Sequence, residues 1–423
     1  SIDLVTVPNR ESVQLTIYNS ADITMVRETR VLTFKKGLNK VQFSWAGTLI
    51  DPTSLRISFK NRKNNIDLLD TTYPATNKKA LQWNIKSEFN GPAKVQITYF
   101  TSGITWKANY VAVTNKKENK MHFKGFVDII NKSGEDYPNA KVRLVVGTIN
   151  LVEKINKLAN KYTSYRTYPK KLKYRARKKF SRYMELAEDK SAGGSIVRKK
   201  DIIKEGISEY FLFTIDGKET IPHGWKKRLN SIDVENIPVK VIYFLSDRHT
   251  GGKVYKRYEF KNRKIRGKSG KGQLGESPLP DGTVHIFSEN RKKDLSFKGS
   301  VRIKYIATGD KVKLNTGKNF DIRITRKLKD YKRTDIVVKK RSYSSYYYIK
   351  SYNEQLFYET KIINTLNKTV LLEVERRFNS KYKVRRMPFK YEKVNYRTIK
   401  FYPRAKAHSS ITLKYHITVV HGK

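Results

Sequence analysis

Apolar and polar residues alternate in short runs along most of this chain. In the run SVQLTIYNS, the apolar side chains of Val13, Leu15 and Ile17 fall on one face of an extended strand. The run KVQITYF repeats this two-residue period, and turn formers such as Asp281-Gly282 separate such runs. Strands at this spacing, with few helical patterns between them, predict tandem antiparallel β-sandwich domains.

One stretch has the period of a helix and not that of a strand. It is YPKKLKYRARKKFSRYMELAEDK, in which apolar residues recur every three or four positions at Leu172, Ala176, Phe180, Tyr183 and Ala187. Basic side chains occupy the opposite face, and Pro169 suits the first turn of a helix. The pattern predicts one basic helical insertion at about 153–203.

The turn signals and the insertion divide the chain into three predicted domains. An N-terminal β-domain covers 1–90, a central β-sandwich domain covers 91–310 and is interrupted by the insertion, and a C-terminal β-sandwich domain covers 311–423. The predicted fold class is therefore mainly β, with tandem antiparallel β-sandwich domains and one basic helical insertion.

The balance of charge restricts the partners that this chain attracts. Its 423 residues include 89 Lys and Arg against 38 Asp and Glu, which gives a formal net charge of +51. So positive a surface attracts polyanions, anionic lipid or acidic proteins, and salt weakens that attraction. The 27 tyrosines and 19 phenylalanines supply apolar area to bury, which argues against disorder.

No motif in the sequence predicts a catalytic site. The chain has no cysteine, which excludes disulfides, thiolate metal sites and cysteine nucleophiles. Its histidines show none of the HxH, HxxxH or HExxH spacings of local zinc sites. The run GKGQLG matches GxGxxG, but Pro278 and Pro280 follow where a dinucleotide site needs a helix. We therefore expect no catalytic residue, no cofactor and no metal, and we expect that the protein is not an enzyme.

Several segments together resemble the DUF4139 family of bacterial exported proteins. The segment YNSADITMVRETRVLTFKKGLNKVQFSWAGTLIDPTSLRISF resembles its opening module. TSGITWKANYVAVTN, followed by GFVDIINKSGEDYPNAKVRLVVGTIN, resembles its central signature, as does SPLPDGTVHIFSEN with ATGDKVKLNTGKNFDIRITRKLKDY after it. The resemblance implies a β-rich, exported protein and brings no activity or catalytic residues with it. The chain departs from the family in lacking a coiled-coil insertion and in being far more basic.

Basic residues with interleaved aromatic residues form the candidate partner-binding sites. In the insertion they are Lys170, Lys171, Lys173, Arg175, Arg177, Lys178, Lys179 and Arg182. Two further basic clusters contribute Arg263, Lys264 and Arg266, and then Arg385 and Arg386. The tyrosine-rich run adds Tyr346, Tyr347 and Tyr348, and at least one of these must be exposed because three consecutive strand residues cannot all face one core.

These features predict a non-catalytic, highly basic scaffold protein. We expect it to dock on acidic surfaces of larger protein subunits and to help assemble a multiprotein complex or a higher-order array. The alternative is a binder of anionic envelope polymer or of a lipid surface. Nucleic acid is a less favoured partner, and an enzyme with a site assembled from distant strands is the least favoured reading.

The expected location is the periplasm or an equivalent extracytoplasmic compartment. The chain begins SIDLVTV without methionine, which we interpret as a mature form whose signal peptide has been removed. It contains no apolar run long enough for a transmembrane helix, so we expect no membrane-spanning segment.

Neutralising the basic residues of the insertion tests its part in docking. Replacing Arg175, Lys178, Lys179 and Arg182 together with glutamine should weaken complex formation, because four cations that meet an acidic partner are lost. Assembly measured by size-exclusion chromatography at low salt checks this. An unchanged assembly would mean that these residues are only solvated surface.

Overall fold

The structure is a computed structural model. It describes residues 4–6, 9–18, 21–75, 79–146, 202–207, 210–247, 253–265, 272–290, 292 and 294–422. These residues form a mainly β fold, as the alternation of apolar residues predicts.

The first half of the described chain contains strands β1 to β15. They are β1 Leu4–Thr6, β2 Ser12–Tyr18, β3 Ile23–Phe34, β4 Gly37–Ser44, β5 Arg56–Phe59, β6 Ile66–Thr72, β7 Ala80–Ser87, β8 Gly91–Thr101, β9 Ile104–Thr114, β10 Lys120–Asn131, β11 Tyr137–Val146, β12 Ile202–Ile207, β13 Tyr210–Ile215, β14 Glu219–Ile221 and β15 Lys226–Pro238.

The second half contains strands β16 to β28. They are β16 Lys240–Ser246, β17 Tyr255–Lys261, β18 Gly282–Glu289, β19 Leu295–Ile303, β20 Lys311–Lys318, β21 Ile322–Lys340, β22 Tyr347–Asn364, β23 Val370–Arg377, β24 Lys381–Arg386, β25 Tyr391–Asn395, β26 Thr398–Phe401, β27 Arg404–Ala405 and β28 Ser409–His421.

The chain divides into two compact units, each assembled from three segments. The first contains Ser1–Asn109, Lys124–Asp233 and Arg266–Pro280, and the second contains Tyr110–Phe123, Val234–Ile265 and Asp281–Lys423. The division into domains 1–90, 91–310 and 311–423 stays a prediction.

In the first unit, apolar side chains of two sheets pack against one another. One sheet has the strand order β12-β13-β11-β2-β3-β8-β5, with β14 beside β11, and the other has the order β1-β4-β7-β6. The rings of Phe43 on β4 and Tyr99 on β8 lie 6.1 Å apart between centroids, and Trp83 on β7 contacts Phe43. Trp83 and Tyr99 are completely buried, so aromatic residues supply much of this core.

Two sheets of the second unit also share one core. One has the order β20-β17-β16-β23-β26-β25, with β27 beside β23, and the other has the order β21-β22-β28-β24. Leu372 and Ile399 of the first sheet are fully buried in one cluster with Ile362 and Ile417 of the second. The fifth sheet of the described strands, which is not confined to the second unit, has the order β15-β10-β9-β18-β19.

The prediction of purely antiparallel sheets is wrong. In the described residues, β1 pairs in parallel with β4, β2 with β11, and β16 with β23. The pair β2–β11 joins Val13 to Ala140 and Tyr18 to Val145, residues that are 127 positions apart in the sequence (140 − 13 = 127). A local period of two residues reports which face of a strand is buried and carries no information about its partner's direction.

The predicted basic helical insertion is also wrong for the described fold. The described residues contain no α-helix, and their only helical turns are the 3-10 turns Pro52–Ser54 and Lys63–Asn65. Residues 153–201 of the predicted insertion lie outside the described residues, and 202–203 begin strand β12. Strand β12 pairs with β13, with Ile202 opposite Ile215, so residues 202–203 of the predicted insertion lie in a sheet.

A half-buried carboxylate fixes the turn between β9 and β10 within the second unit. Glu118 has a positive φ of 54°, and its Oε1 accepts hydrogen bonds from Lys256 Nζ and, at 2.5 Å, from the Tyr258 hydroxyl. Its Oε2 accepts a hydrogen bond from Lys368 Nζ at 2.7 Å. Burial alone would raise the pKa of Glu118, but the hydrogen bonds and charges of these partners lower it to about 2.

Replacing this carboxylate should destabilise the protein in a way that depends on pH. The pKa of Glu118 in the folded protein is below its ordinary value. Its ionised carboxylate therefore stabilises the fold fully above pH 4.5, and this stabilisation is lost as the pH falls toward 2. Glu118→Gln should lower the free energy of unfolding by about 3 kcal/mol at pH 7 and by roughly half as much or less at pH 3. Urea unfolding of the full chain at both pH values measures this.

Glu11→Gln is the matched control, because Glu11 forms an exposed ion pair with Lys94 at 2.9 Å. Exposed pairs contribute about 0–1 kcal/mol, so this variant should differ little from the parent. Equal effects of the two substitutions would contradict a special role for Glu118.

Candidate functional site

Strands β21 and β22 form a long hairpin arm in the second unit. Their pairing runs from Ile322 opposite Asn364 to Lys340 opposite Tyr347. At the turn, the Arg341 N–H donates to the Tyr346 carbonyl at 2.9 Å, and Tyr343 takes a left-handed φ of 61°. Most natural strands have five or six residues, so 19- and 18-residue strands are unusually long.

The end of this arm continues past the strand that supports it. β28 pairs with β22 from Ser409 opposite Asn364 to His421 opposite Tyr352. Among the described residues, the part of β22 before Tyr352 therefore has β21 as its strand partner. We call residues 336–350 the hairpin tip.

The hairpin tip exposes aromatic and aliphatic side chains. The exposed fractions of Tyr346, Tyr347 and Tyr348 are 77%, 68% and 51%, and Tyr343 is completely exposed. Four aliphatic residues of the tip are also exposed: Ile336, Val337, Val338 and Ile349. Large apolar side chains gathered at one exposed place mark an interaction surface more often than single exposed ones do.

The hairpin tip is also uniformly basic. Its charged residues are Lys339, Lys340, Arg341 and Lys350, all of them exposed, and no acidic residue occurs from 336 to 353. In the strand register Lys339 lies opposite Tyr348 and Lys340 lies opposite Tyr347. Paired strand residues share a face, so each face of the tip combines a cation with a tyrosine.

A β-bulge separates the tip from the rest of the arm. The register shifts between Thr334 and Val337, and Asp335 there has a positive φ of 53°. The Asn353 side-chain amide donates a hydrogen bond to the Asp335 carboxylate across the strands. Bulges increase the local twist and turn side chains to a new direction, so this one determines how the tip is presented.

Stacked rings hold the base of the tip. The Tyr352 ring stacks on the His421 ring with centroids 4.6 Å apart, and the Arg333 guanidinium lies 4.8 Å from the Tyr352 centroid. His421 Nε2 lies 3.0 Å from a carboxylate oxygen of Glu354. These contacts order the arm up to the place where its tip begins.

The predicted partner-binding residues fall in separate places. Tyr346, Tyr347 and Tyr348 lie in the tip, whereas the exposed Arg385 and Arg386 lie on β24, at the opposite edge of the same sheet. Arg385 Nε donates a hydrogen bond to Thr418 Oγ1 at 3.1 Å. The structure thus does not bring the arginines of β24 and the tyrosines into one patch.

The remaining predicted residues are partly outside the described chain. Arg263 and Lys264 follow β17 and are exposed. Outside the described residues lie Arg266 and the insertion residues Lys170, Lys171, Lys173, Arg175, Arg177, Lys178, Lys179 and Arg182. Partner binding by all of these residues stays a prediction.

Sequence reasoning missed one strand of the hairpin tip. Ile336, Val337 and Val338 precede Lys339 and Lys340, and only the strand pairing brings this run next to the tyrosines. The turn contains neither glycine nor an Asn-Gly pair, so the usual hairpin signal is absent. The available signal was the repetition of apolar and basic residues on both sides of a serine-rich turn.

Scarce carboxylates are bound to cations inside the first unit. Glu28 is fully buried, and its Oε1 lies 3.0 Å from Arg10 Nε while its Oε2 lies 2.6 Å from Arg30 Nη2. The Tyr99 hydroxyl donates a further hydrogen bond to Glu28 at 2.5 Å. A buried carboxylate needs this many partners because leaving it unpaired costs several kcal/mol, of the order of 3–5.

The second unit binds two more carboxylates in the same way. Asp247 lies 2.7 Å from Arg376 Nε and 2.9 Å from Arg326 Nη1. Burial would raise the pKa of Asp247, but the two arginines lower it. Glu373 is similarly held by Arg257 Nη2 at 2.5 Å. These acids neutralise internal cations and leave the exposed basic residues of the tip uncompensated.

In the part of the chain that the structure describes, no group of three or more His, Asp or Glu side chains is arranged to hold a metal ion. The same residues include no helix with the length and apolar character needed to cross a bilayer.

The fold and the arm define a mainly β protein with a basic, aromatic hairpin. Comparison with family models matches residues 95–378 to the domain of unknown function DUF4139. The match covers more than half of the chain, so the chain belongs to the DUF4139 family, and the resemblance drawn from its segments is confirmed. Among curated proteins, none matches the chain significantly.

The tyrosines of the tip should be dispensable for folding. Changing Tyr346, Tyr347 and Tyr348 together to serine should alter Tm by no more than about 2 °C, because all three are exposed. Tyr415→Ser is the contrast, since this ring is buried and its hydroxyl accepts a hydrogen bond from Arg376 at 2.8 Å. Tyr415→Ser should lower the free energy of unfolding by about 3–5 kcal/mol, as loss of a buried aromatic ring does.

Calorimetry of the purified variants measures both effects. If the triple variant loses as much stability as Tyr415→Ser, the tyrosines of the tip belong to the packed interior.

Proposed function

We propose that this protein is a non-catalytic scaffold that docks on acidic surfaces of larger protein subunits and helps to assemble them into a complex or array. The hairpin tip is its main docking element. The observation that carries the proposal is the combination in the tip of exposed tyrosines and basic side chains with no acid among them.

The tip has the chemistry of an interface anchor. Tyrosine buries a large rigid ring at small entropic cost and keeps a polar hydroxyl for the partner, so tyrosine and arginine are enriched among residues that dominate binding energy. The exposed Lys339, Lys340 and Arg341 beside the rings supply attraction to carboxylates and a fast encounter. Pairing of the two strands orders the backbone before binding, which lowers the entropic cost of association.

The charge of the whole chain supports an acidic partner. With a net charge of +51 and acids such as Glu28 and Asp247 bound internally, copies of the chain repel one another. A partner that supplies carboxylates removes this repulsion. Binding of this kind should therefore be steeply salt-dependent.

An anionic envelope polymer or lipid surface is the alternative ligand. The exposed Arg263, Lys264, Arg385 and Arg386 do not belong to the tip and favour this alternative, since they place positive charge on other parts of the chain as well. A polymer or lipid surface engages distributed charge without needing aromatic anchors. An extracytoplasmic location is part of the proposal, and its support is the resemblance to exported proteins.

A pull-down from source-cell extracts with the full chain tests the proposal. At about 50 mM salt a stoichiometric acidic protein should be recovered, and at about 500 mM it should be lost because the charges are screened. Mass spectrometry identifies the recovered material. Recovery of polysaccharide, lipid or nucleic acid without such a protein would contradict the scaffold function.

Matched charge reversals test the role of the tip. Lys339→Glu/Lys340→Glu should weaken binding of the recovered partner by at least about tenfold, as loss of 1.4 kcal/mol does. Lys60→Glu/Lys63→Glu has the same change of net charge at exposed lysines of the first unit and should change affinity less than about threefold. Equal weakening by both pairs would mean that total charge, and not the tip, determines binding.

A further inference from the structure

Strand β21 is an edge strand of unusual length. It is the first strand of the sheet β21-β22-β28-β24, and in the described residues its strand partner is β22. Of its residues beyond Ile324, all are exposed except the half-buried Thr334. The outer edge of such a strand presents a row of backbone N–H and C=O groups that another strand is able to pair with.

One face of β21 carries two exposed apolar side chains, Leu328 and Tyr331, between Arg326 and Arg333. Leu328 lies opposite Tyr358 and Tyr331 lies opposite Leu356, so both are on the face that continues into the core. Leu328 is nevertheless 49% exposed and Tyr331 is 43% exposed. A strand added at the edge would cover both side chains.

The other face of β21 is basic. Arg323, Lys327 and Lys332 lie opposite Ile363, Glu359 and Gln355, and all three are exposed. A register shift between Leu328 and Asp330 keeps the basic and apolar faces in phase along the strand. Asp330, the acid within this stretch, lies 3.7 Å from Lys332 Nζ.

We propose that the outer edge of β21, which has no strand partner among the described residues, accepts an extended segment of a partner protein as an additional strand, and that this segment alternates apolar and acidic residues. The inference rests on the proposed docking function and names the class of partner. Residues opposite each other in a sheet lie on the same face. An added strand therefore places one set of side chains beside Leu328 and Tyr331 and the other set beside Arg323, Lys327 and Lys332.

A second copy of this chain does not fit the same edge. Pairing of two β21 strands would bring arginines and lysines of both copies together on one face, and like charges directly opposite destabilise a sheet. Charged side chains on edge strands commonly prevent such self-association. Here they exclude a basic copy and attract an acidic segment.

Synthetic peptides of about nine residues test strand addition to the full chain, since that length matches an ordinary strand. An acetylated peptide of alternating glutamate and valine should bind at least about tenfold more tightly than a peptide with the same residues arranged in two blocks. Fluorescence anisotropy measures both affinities. Equal affinity of the block peptide would mean that charge alone is recognised, and would overturn strand addition.

Backbone N-methylation separates strand addition from simple attraction. Two versions of the alternating peptide are N-methylated, one at every glutamate and one at every valine, which removes the donors of either edge and keeps every charge. At least one version should bind at least about tenfold more weakly than the parent peptide. Undiminished binding of both would overturn the proposal, because no backbone hydrogen bond would then be needed.

Charge reversal on β21 locates the site. Lys327→Glu/Lys332→Glu should weaken the alternating acidic peptide at least about tenfold and strengthen a peptide of alternating lysine and valine, whereas Lys60→Glu/Lys63→Glu should change neither much. Failure of β21 reversal to change either affinity would overturn this site. If the free chain dimerises and these two substitutions abolish the dimer, the strand that pairs with β21 belongs to a second copy and the proposal is wrong.

These outcomes are distinct from failure of the docking function. Suppose that an acidic protein is recovered and that its binding requires the hairpin tip, but that the alternating peptide binds no more tightly than the block peptide. The scaffold function then stands and strand addition fails. If neither an acidic protein nor an acidic peptide binds, both fail.

Discussion

The pairing of scarce carboxylates with buried and half-buried cations is the interaction on which the rest of this structure depends. Glu28 and Glu118 each bind two cations and a tyrosine hydroxyl, and Asp247 binds two arginines. Each group neutralises cations that would otherwise destabilise the interior. With 89 bases against 38 acids, most cations of this chain have no carboxylate of its own to bind, so its surface is basic.

Much of the fold was predictable because burial of one strand face leaves a period of two residues in the sequence. Val13, Leu15 and Ile17 alternate and are all buried. The parallel pairing of β2 with β11 was not predictable, because it joins residues more than a hundred positions apart and leaves no local pattern. The helical period of the basic insertion led to a wrong fold class, since the described residues form sheets without an α-helix.

The candidate site was predictable only in part, for a related reason. Three adjacent tyrosines cannot share one core, so exposure in the run Tyr346–Tyr348 followed from strand geometry, and all three are exposed. Which residues accompany them depends on the hairpin register, which places Lys339 and Lys340 opposite the ring-bearing strand. Sequence clusters of charge, such as Arg385 and Arg386, gave no indication of which sheet edge they would occupy.

The order in which the hairpin arm and its supporting strand are synthesised has a consequence for the nascent chain. β21 and β22 are adjacent in sequence and complete at Asn364, whereas β28 begins at Ser409, 45 residues later (409 − 364 = 45). Hairpins form in about 1–10 μs. Translation at about 5–20 residues per second leaves about 2–9 s before β28 is synthesised. For that time the outer edges of both β21 and β22 present backbone N–H and C=O groups to neighbouring chains, so the unfinished arm is more exposed to wrong strand pairing than the finished one.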